Sequence, residues 1–340
     1  MSDALGALVN RQVLLVRRPH GAPSPEDFRL AEAPVRAPAE GEVLVRALYL
    51  SMDPAMRGWM SEAKSYMPPV ELGGVMRAGM AARVVASRDP AFAPGDHVTG
   101  ILGAQDYALA QGEELTRVFP DQVPLPVRLS ALGVPGMTAY FGLLDLARLR
   151  DGDRVLISGA AGAVGSIAGQ IAKLKGCKVV GIAGGEAKCR MLTEDLGFDG
   201  AIDYKSEDVT SAIRQFFRRG VHVYFDNVGG PILDAALANL AVKARVILCG
   251  AISQYNSTEG MYGPKNYLSI LVNRATVHGL LVFDYIERYA EAEKDLLEWI
   301  AEGKIKVKVD VAEGLEHFPE VLMRLFSGAN VGKLILKVAE

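Results

Sequence analysis

Residues 158–166 read Ser158-Gly159-Ala160-Ala161-Gly162-Ala163-Val164-Gly165-Ser166, and the fold turns on this stretch. Just before it, Arg154 to Ser158 is short and apolar, a buried strand. Just after it, Ala163 to Lys175 has the spacing of a helix. Glycine between a strand and a helix allows a tight turn. It also lets backbone N–H groups approach a pyrophosphate at the helix N-terminus, where the helix dipole favours negative charge. Gly165 further lets helix and strand pack closely. The spacing differs from the commonest GxGxxG form, and a plain glycine-rich turn would share it. The flanking strand–helix–strand alternation favours the dinucleotide-binding turn.

Outward from this loop the alternation continues. Strands are predicted at Lys178 to Ile182, Ala201–Ile202, Val221 to Asp226 and Ala244 to Gly250. Helices are predicted at Arg190 to Leu196, Val209 to Arg218 and Pro231 to Leu240. That rhythm implies a parallel sheet wrapped by helices. A helical run from Ser130 to Leu149 precedes it, interrupted or restarted at Pro135–Gly136. A long amphipathic helix, about Tyr285 to Ala301, follows and stops before Gly303, with Ile286, Tyr289, Leu296 and Ile300 on its apolar stripe. The first third has a different texture. Short β-like runs at Arg11 to Arg17, Glu42 to Leu50, Ala81 to Ala86 and Asp96 to Ile101 are separated by Gly and Pro turns. They suggest a small barrel-like β domain. The tail from Lys304 returns to strand-like texture and is expected to rejoin that domain.

The chain has 340 residues, enough for two domains and a large core, and half of them are hydrophobic. Its 37 basic and 40 acidic residues leave a net charge of −3, which excludes an electrostatically driven nucleic-acid binder and argues against disorder. Three cysteines, Cys177, Cys189 and Cys249, suit a reducing compartment. Met1 to Asn10 has no basic region leading into an apolar run, and no stretch reaches the ~20 apolar residues of a transmembrane helix. A soluble, cytoplasmic protein without a membrane partner is expected.

The end of the second strand of the repeating unit indicates the cofactor. An NAD site usually places Asp or Glu there, on the ribose diol. This chain has Gly181-Ile182-Ala183-Gly184-Gly185. Small residues leave room for a 2′-phosphate, which a carboxylate would repel. Lys188 and Arg190 lie just beyond, and Lys205 follows Tyr204 at the next strand end. NADP(H) is the expected cofactor. Glu186 is the one acid nearby and should point away. The histidines His20, His97, His222, His278 and His317 are scattered, with no Gly-His-Glu motif and no cluster of four cysteines. No zinc site is expected.

The chain resembles the zinc-independent medium-chain dehydrogenase/reductases, and within them the prostaglandin reductase, alkenal/one oxidoreductase and curcumin reductase group. The segments that carry the resemblance run nearly end to end. They are Tyr49-Leu50-Ser51-Met52-Asp53-Pro54-Ala55-Met56-Arg57-Gly58, Gly136-Met137-Thr138-Ala139-Tyr140-Phe141-Gly142, the glycine loop through Lys173, Phe225-Asp226-Asn227-Val228-Gly229-Gly230, Cys249-Gly250-Ala251-Ile252-Ser253-Gln254-Tyr255-Asn256 and Asn330-Val331-Gly332-Lys333. The resemblance implies an α/β fold of two domains. One is a GroES-like β-barrel substrate domain over 1–128 and 305–340, and the other a doubly wound Rossmann NADP-binding domain over 129–304.

Carried over by motif, Gly162, Ala163, Val164, Gly165 and Ser166 should hold the pyrophosphate. Gly184, Lys188 and Tyr204 should surround the 2′-phosphate. Asn227, Cys249, Gly250, Ala251, Ile252, Ser253, Tyr255 and Asn330 should line the cofactor, with Leu280, Leu281 and Val282 on a neighbouring strand and Thr138 near the nicotinamide. Tyr49, Tyr66 and Leu281 are the expected substrate contacts. Similar proteins usually carry Gly-Trp where this chain has Gly103-Ala104, so the substrate pocket is expected to differ in shape.

The reaction the resemblance implies is NADPH-dependent reduction of an activated carbon–carbon double bond in an enone or enal. Tyr255 is the expected donor to the enolate oxygen, together with a cofactor ribose hydroxyl. A quinone reductase or a metal-free carbonyl reductase on the same fold remains the alternative. A non-catalytic NADPH-binding sensor or assembly protein is the alternative of another class. The resemblance also implies a homodimer.

Overall fold

A computed structural model describes residues 8–340; residues 1–7, most of the stretch read for a leader, lie outside it. The chain forms two compact units, the first taking the chain up to Leu129 with Val309–Asn330 and Leu334–Glu340, the second taking Ser130–Lys308 with Val331–Lys333. The return to the first unit comes later than residue 305 because 305–308 are held in the second. Lys306 N–H donates to Gln170 Oε1 at 2.8 Å, Gln170 Nε2 donates to Lys306 O at 3.0 Å, and Lys308 Nζ pairs with Asp195 at 2.6 Å.

The first unit opens with β1 (Val9–Leu15), β2 (Phe28–Pro34), β3 (Glu42–Ser51), β4 (Gly79–Ser87), β5 (His97–Ile101), β6 (Tyr107–Gln111) and β7 (Thr116–Val118). The second supplies β8 (Arg154–Ser158), β9 (Lys178–Ala183), β10 (Gly200–Asp203), β11 (Val221–Asp226), β12 (Leu240–Leu248) and β13 (Thr276–Gly279). Then β14 (Val309–Glu313) and β15 (Lys333–Lys337) return to the sheet of the first unit.

In the second unit the sheet order is β10-β9-β8-β11-β12-β13, every pairing parallel. Counted within the unit this is the doubly wound order 3-2-1-4-5-6, and the winding reverses between β8 and β11. The central strands are mostly apolar because both faces are covered: Val155, Leu156 and Ile157 of β8, and Val223, Tyr224 and Phe225 of β11, are all fully buried. Helix Ala163–Leu174 follows β8 and buries Ile167, Ala168, Ile171 and Ala172.

In the first unit the sheet order is β14-β15-β3-β4-β5-β7, with β6 also on β3. β3 shares one edge between two antiparallel partners, Glu42–Arg46 facing Gln111–Tyr107 and Tyr49–Ser51 facing Lys337–Ile335. Leu15, Val45, Leu50, Met56, Met80, Val98, Phe318 and Leu322 lie in its core. Ala104 is fully buried in that same core, with its N–H on Met76 O at 2.8 Å and its carbonyl on Val13 N at 2.9 Å. Its methyl is a core group of this unit and lines no surface.

Several elements differ from the sequence expectation, among them the strand expected at Leu280–Val282: β13 has already ended at Gly279, and a tight helical stretch begins at Val282. Within the tail read as strand-like, Phe318–Ser327 is a helix, with Phe318, Val321, Leu322 and Leu325 buried at helical spacing. The helix expected from Tyr285 begins at Tyr289 after a tighter turn, Val282–Arg288, and Ile286 is exposed where the stripe reading had it buried. Ala292 and Leu296 are the buried pair. The chain is already helical at Glu186–Arg190, ahead of the predicted start, and widens over Met191–Asp195.

Candidate active site

In an open parallel sheet, ligands bind beyond the carboxyl ends of the strands at the point where the winding reverses. Here that point lies between β8 and β11, and the loops after them are the glycine loop and Asn227-Val228-Gly229-Gly230.

The glycine loop starts at Gly159, whose φ of +58° suits glycine, and Ala160 N–H bonds Ile182 O at 3.0 Å. A Cβ on Gly165 would lie 2.4 Å from Gly159 O, so only glycine lets the helix start this close to the strand. Gly162 offers no side chain to cap the helix. The first amides, from Ala163, Val164 and Gly165, have no partner within the helix and need an acceptor from outside it. Gly162, Ala163 and Val164 are partly exposed, whereas Gly165 and Ser166 are buried. An uncapped, dipole-positive, accessible helix terminus fits a pyrophosphate. From the far end of the chain, Gly332 N–H donates to Ala161 O at 2.8 Å and Gly332 pairs with Gly162.

At the end of β9, Gly184 is overlain by the Tyr204 ring, which a Cβ there would meet at 2.8 Å. Gly185 turns the chain at φ +96°, and Lys188 follows in the first turn of the helix, partly exposed. Asp203 Oδ1 accepts the N–H groups of Gly185 at 2.8 Å and Lys205 at 3.0 Å, and these bonds lower its carboxyl pKa. That carboxylate is engaged by the backbone. The Glu186 side chain is 84% exposed and lies 3.9 Å from Arg190. The residues at this strand end fit a phosphorylated ribose.

Beyond β11 the loops lock together. Asn227 Nδ2 donates to Ser158 O at 2.7 Å, and Asn227 O accepts Ile252 N–H at 3.2 Å. Cys249 and Gly250 donate their amides to Asp226 O at 2.9 and 3.1 Å. Burial, and then the charge of Asp226, pushes the Cys249 thiol up to about 12. The Tyr255 hydroxyl turns back onto its own loop and accepts Ala251 N–H at 3.0 Å. Ser253 donates its hydroxyl to Val228 O at 2.7 Å. Leu280 N–H bonds Leu248 O at 3.0 Å, which sets Leu280, Leu281 and the buried Val282 beside the end of β12. Thr138 is buried in helix Val134–Phe141 and donates its hydroxyl to Val134 O at 2.7 Å.

The glycine loop, Gly184, Lys188, Tyr204, Asn227, the Cys249–Tyr255 loop and Leu280–Val282 thus follow the carboxyl ends of strands of one sheet, while Thr138 lies on helix Val134–Phe141. The other candidates belong to the first unit. Tyr49 is on β3, packed against the cluster of Ala81, Leu125 and Ile335; Tyr66 is half exposed; Asn330 directly precedes Val331–Lys333. Sequence reasoning missed the supporting polar groups Ser158, Tyr224, Asp226 and Asp203. For Ser158, Asp203 and Asp226 the one signal was a polar residue ending a strand; Tyr224, inside β11, had none. It also gave no role to Gly332. Among the described residues no group of three His, Cys, Asp or Glu side chains is placed to hold a metal ion, and no helix is long and apolar enough to cross a membrane.

Residues 11–118 match the family described as N-terminal domain of oxidoreductase, and residues 163–302 the one described as zinc-binding dehydrogenase. The chain is 42% identical to the NADPH-dependent curcumin reductase of Escherichia coli K12, over 97% of each chain. It is 38% identical to the NADP(+)-dependent 2-alkenal reductase of Nicotiana tabacum, over 97% of this chain and 98% of that one. The crystal structure of CurA from Vibrio vulnificus in complex with NADPH superposes with a TM-score of 0.92 at 42% identity, covering 97% of this chain and 99% of that one. Similarity of this extent in both sequence and fold makes the chain a member of the zinc-independent medium-chain dehydrogenase/reductases, in the group of the curcumin and alkenal reductases.

Proposed function

We infer that this protein is an NADPH-dependent reductase of activated carbon–carbon double bonds in α,β-unsaturated ketones and aldehydes. One observation carries the cofactor reading. The uncapped helix terminus at the switch point lies beside a strand end where Asp203 is engaged by the amides of Gly185 and Lys205. End-to-end similarity to a curcumin reductase and a 2-alkenal reductase supports the substrate class.

NADPH, when bound, supplies the hydride that reaches the β-carbon of the enone. The amides of Ala163, Val164 and Gly165 bind the pyrophosphate, and Lys188 and Tyr204 bind the 2′-phosphate. Asn227, Thr138, Asn330 and the Leu280–Val282 stretch orient the nicotinamide half. Tyr49, Tyr66 and Leu281 hold the enone. As negative charge builds on the carbonyl oxygen, a hydrogen-bond donor must meet it. Tyr255 does so in this reading. Its oxygen accepts Ala251 N–H, which polarises the phenol towards donating its own proton. Tyr255 shares the task with a ribose hydroxyl of the cofactor. The same reading makes the protein a homodimer of the cytoplasm, and light scattering on the purified protein tests the dimer.

The deciding experiment is NADPH consumption over a panel of enals, enones, quinones and saturated ketones. Turnover confined to enals and enones is expected. Turnover confined to quinones or to saturated ketones would reassign the reaction. Tight NADPH binding without turnover on any of them would make the protein a cofactor-binding module.

A further inference from the structure

Under the candidate site lies a buried carboxylate that no step above uses. Asp226 ends β11 and is 1% exposed. Its Oδ1 accepts Ser158 Oγ–H at 2.8 Å, Tyr224 Oη–H at 2.7 Å, and the amides of Val228 and Gly229 at 3.0 Å each. Its Oδ2 is buried without a hydrogen-bond partner. Burying a charge is costly, and for stability alone a well-packed apolar side chain often does as well or better. A carboxylate does what no apolar group can. It gathers donors from two strands and a loop onto one atom.

The donors it gathers lead to all three site loops. Ser158 ends β8 and runs into the glycine loop, and its Oγ also accepts Asn227 N–H at 2.9 Å. Val228 and Gly229 form the turn after β11, where Gly229 and Gly230 take φ of +69° and +56°. That turn in turn holds the Tyr255 loop through Ile252 N–H on Asn227 O and Ser253 N–H on Val228 O, both at 3.2 Å. Burial, and then the charge of Asp226, raises the Tyr224 phenol well above its ordinary value, so Tyr224 stays protonated and remains a donor.

We propose that Asp226 is a positioning residue for hydride transfer: its carboxylate fixes Asn227 and the Tyr255 loop relative to the glycine loop, without itself touching substrate or cofactor. The proposal rests on the double-bond reductase reading, which gives Asn227 and Tyr255 their roles.

Asp226→Asn keeps the size and one accepting oxygen and removes the charge. Tyr224→Phe deletes one donor alone, and Ser158→Ala deletes a donor together with the acceptor of Asn227 N–H. Amide hydrogen exchange is measured on the protein without cofactor, NADPH binding by fluorescence titration, and kinetics with a small enone and with NADPH or its 4-deuterated form. For Asp226→Asn, faster exchange confined to 227–230 and 249–256 is expected. NADPH affinity should change less than about threefold, while kcat falls by about 10- to 100-fold and the isotope effect grows. Tyr224→Phe should shift the same readouts less. Unchanged exchange in those loops overturns the proposal. So does a kcat loss that only matches the loss of folded protein, with an unaltered isotope effect. If the wild type reduces no enone, the kinetic arm fails with the function reading, and exchange still decides whether Asp226 holds the loops. If Asp226→Asn does not fold, Tyr224→Phe is read by the same criteria.

Discussion

Tyr255 concentrates the chemistry on one hydroxyl, and its removal leaves the ring and its packing in place. Tyr255→Phe should lower kcat more than it weakens NADPH binding. Losing one oxyanion donor costs up to about 10²–10³ in rate, and a ribose hydroxyl or water should limit the loss here to about 10-fold. Steady-state kinetics with one enone beside an NADPH titration checks the split. Lys188→Ala should weaken NADPH by roughly 10- to 150-fold, the worth of a charge-assisted hydrogen bond, and leave NADH almost unchanged. Equal losses for both cofactors would remove Lys188 from phosphate recognition. His222 bears on stability. Burial, then the nearby Arg154, lowers its pKa in the folded state despite the Asp153 carboxylate at 3.2 Å. The unfolded chain therefore takes up this proton first. The contribution is complete above the unfolded value of about 6.5 and is lost as pH falls from there through the folded pKa. Denaturant titrations at stepped pH should show that loss, and His222→Gln should flatten it. At this scale the sequence revealed residues that stand in motifs. It gave no role to Asp203 or to Ser158, whose parts depend on backbone amides 18 and 69 positions away, at Gly185 and Asn227.

The segment Val331–Lys333 is only three residues long and closes the glycine loop, so its tolerance to change is narrow. Gly332 has φ of +68°, and a Cβ there would lie 2.1 Å from Lys308 O. Gly332→Ala should lower Tm and weaken NADPH together, because the Gly332 N–H can no longer reach Ala161 O. Gly328 provides the control. Its φ is +64° with open space around it, so Gly328→Ala should cost only the left-handed strain of roughly 1–2 kcal/mol and spare NADPH. Thermal melts and titrations on the two variants separate strain from collision. β8, β9 and β11 of the second unit are legible because a buried parallel strand is an apolar run bounded by a turn, whereas β13 and helix Leu268–Asn273, largely exposed, carry no such buried run. Helix Phe318–Ser327 was not, although its apolar spacing is helical. Strand-like sequence on both sides of it masked the change of period. The part of Val282–Arg288 from Tyr285 on reads as the start of the long helix because its composition matches the helix it precedes.

Across the whole molecule, each unit is assembled from distant pieces of chain. β3 needs β15 along Tyr49–Ser51, and the glycine loop needs Gly332. A chain ending at Ser327 would lack both partners while keeping most of each core. It should express as aggregate, or as a species without a cooperative melt and without NADPH binding, which solubility and calorimetry would reveal. The change in texture near Ser130 falls where the second compact unit begins. The three-residue crossing has no such mark, since nothing in Val331-Gly332-Lys333 differs from an ordinary turn. This arrangement also sets a schedule during synthesis. When Ser51 leaves the ribosome, the strand it will pair with lies about 280 residues ahead, roughly 15–55 s at ordinary translation speeds. For that interval the Tyr49–Ser51 stretch of the β3 edge is a bare run of amides and carbonyls on a nascent chain, and the cofactor loop stays open until Gly332 has been made.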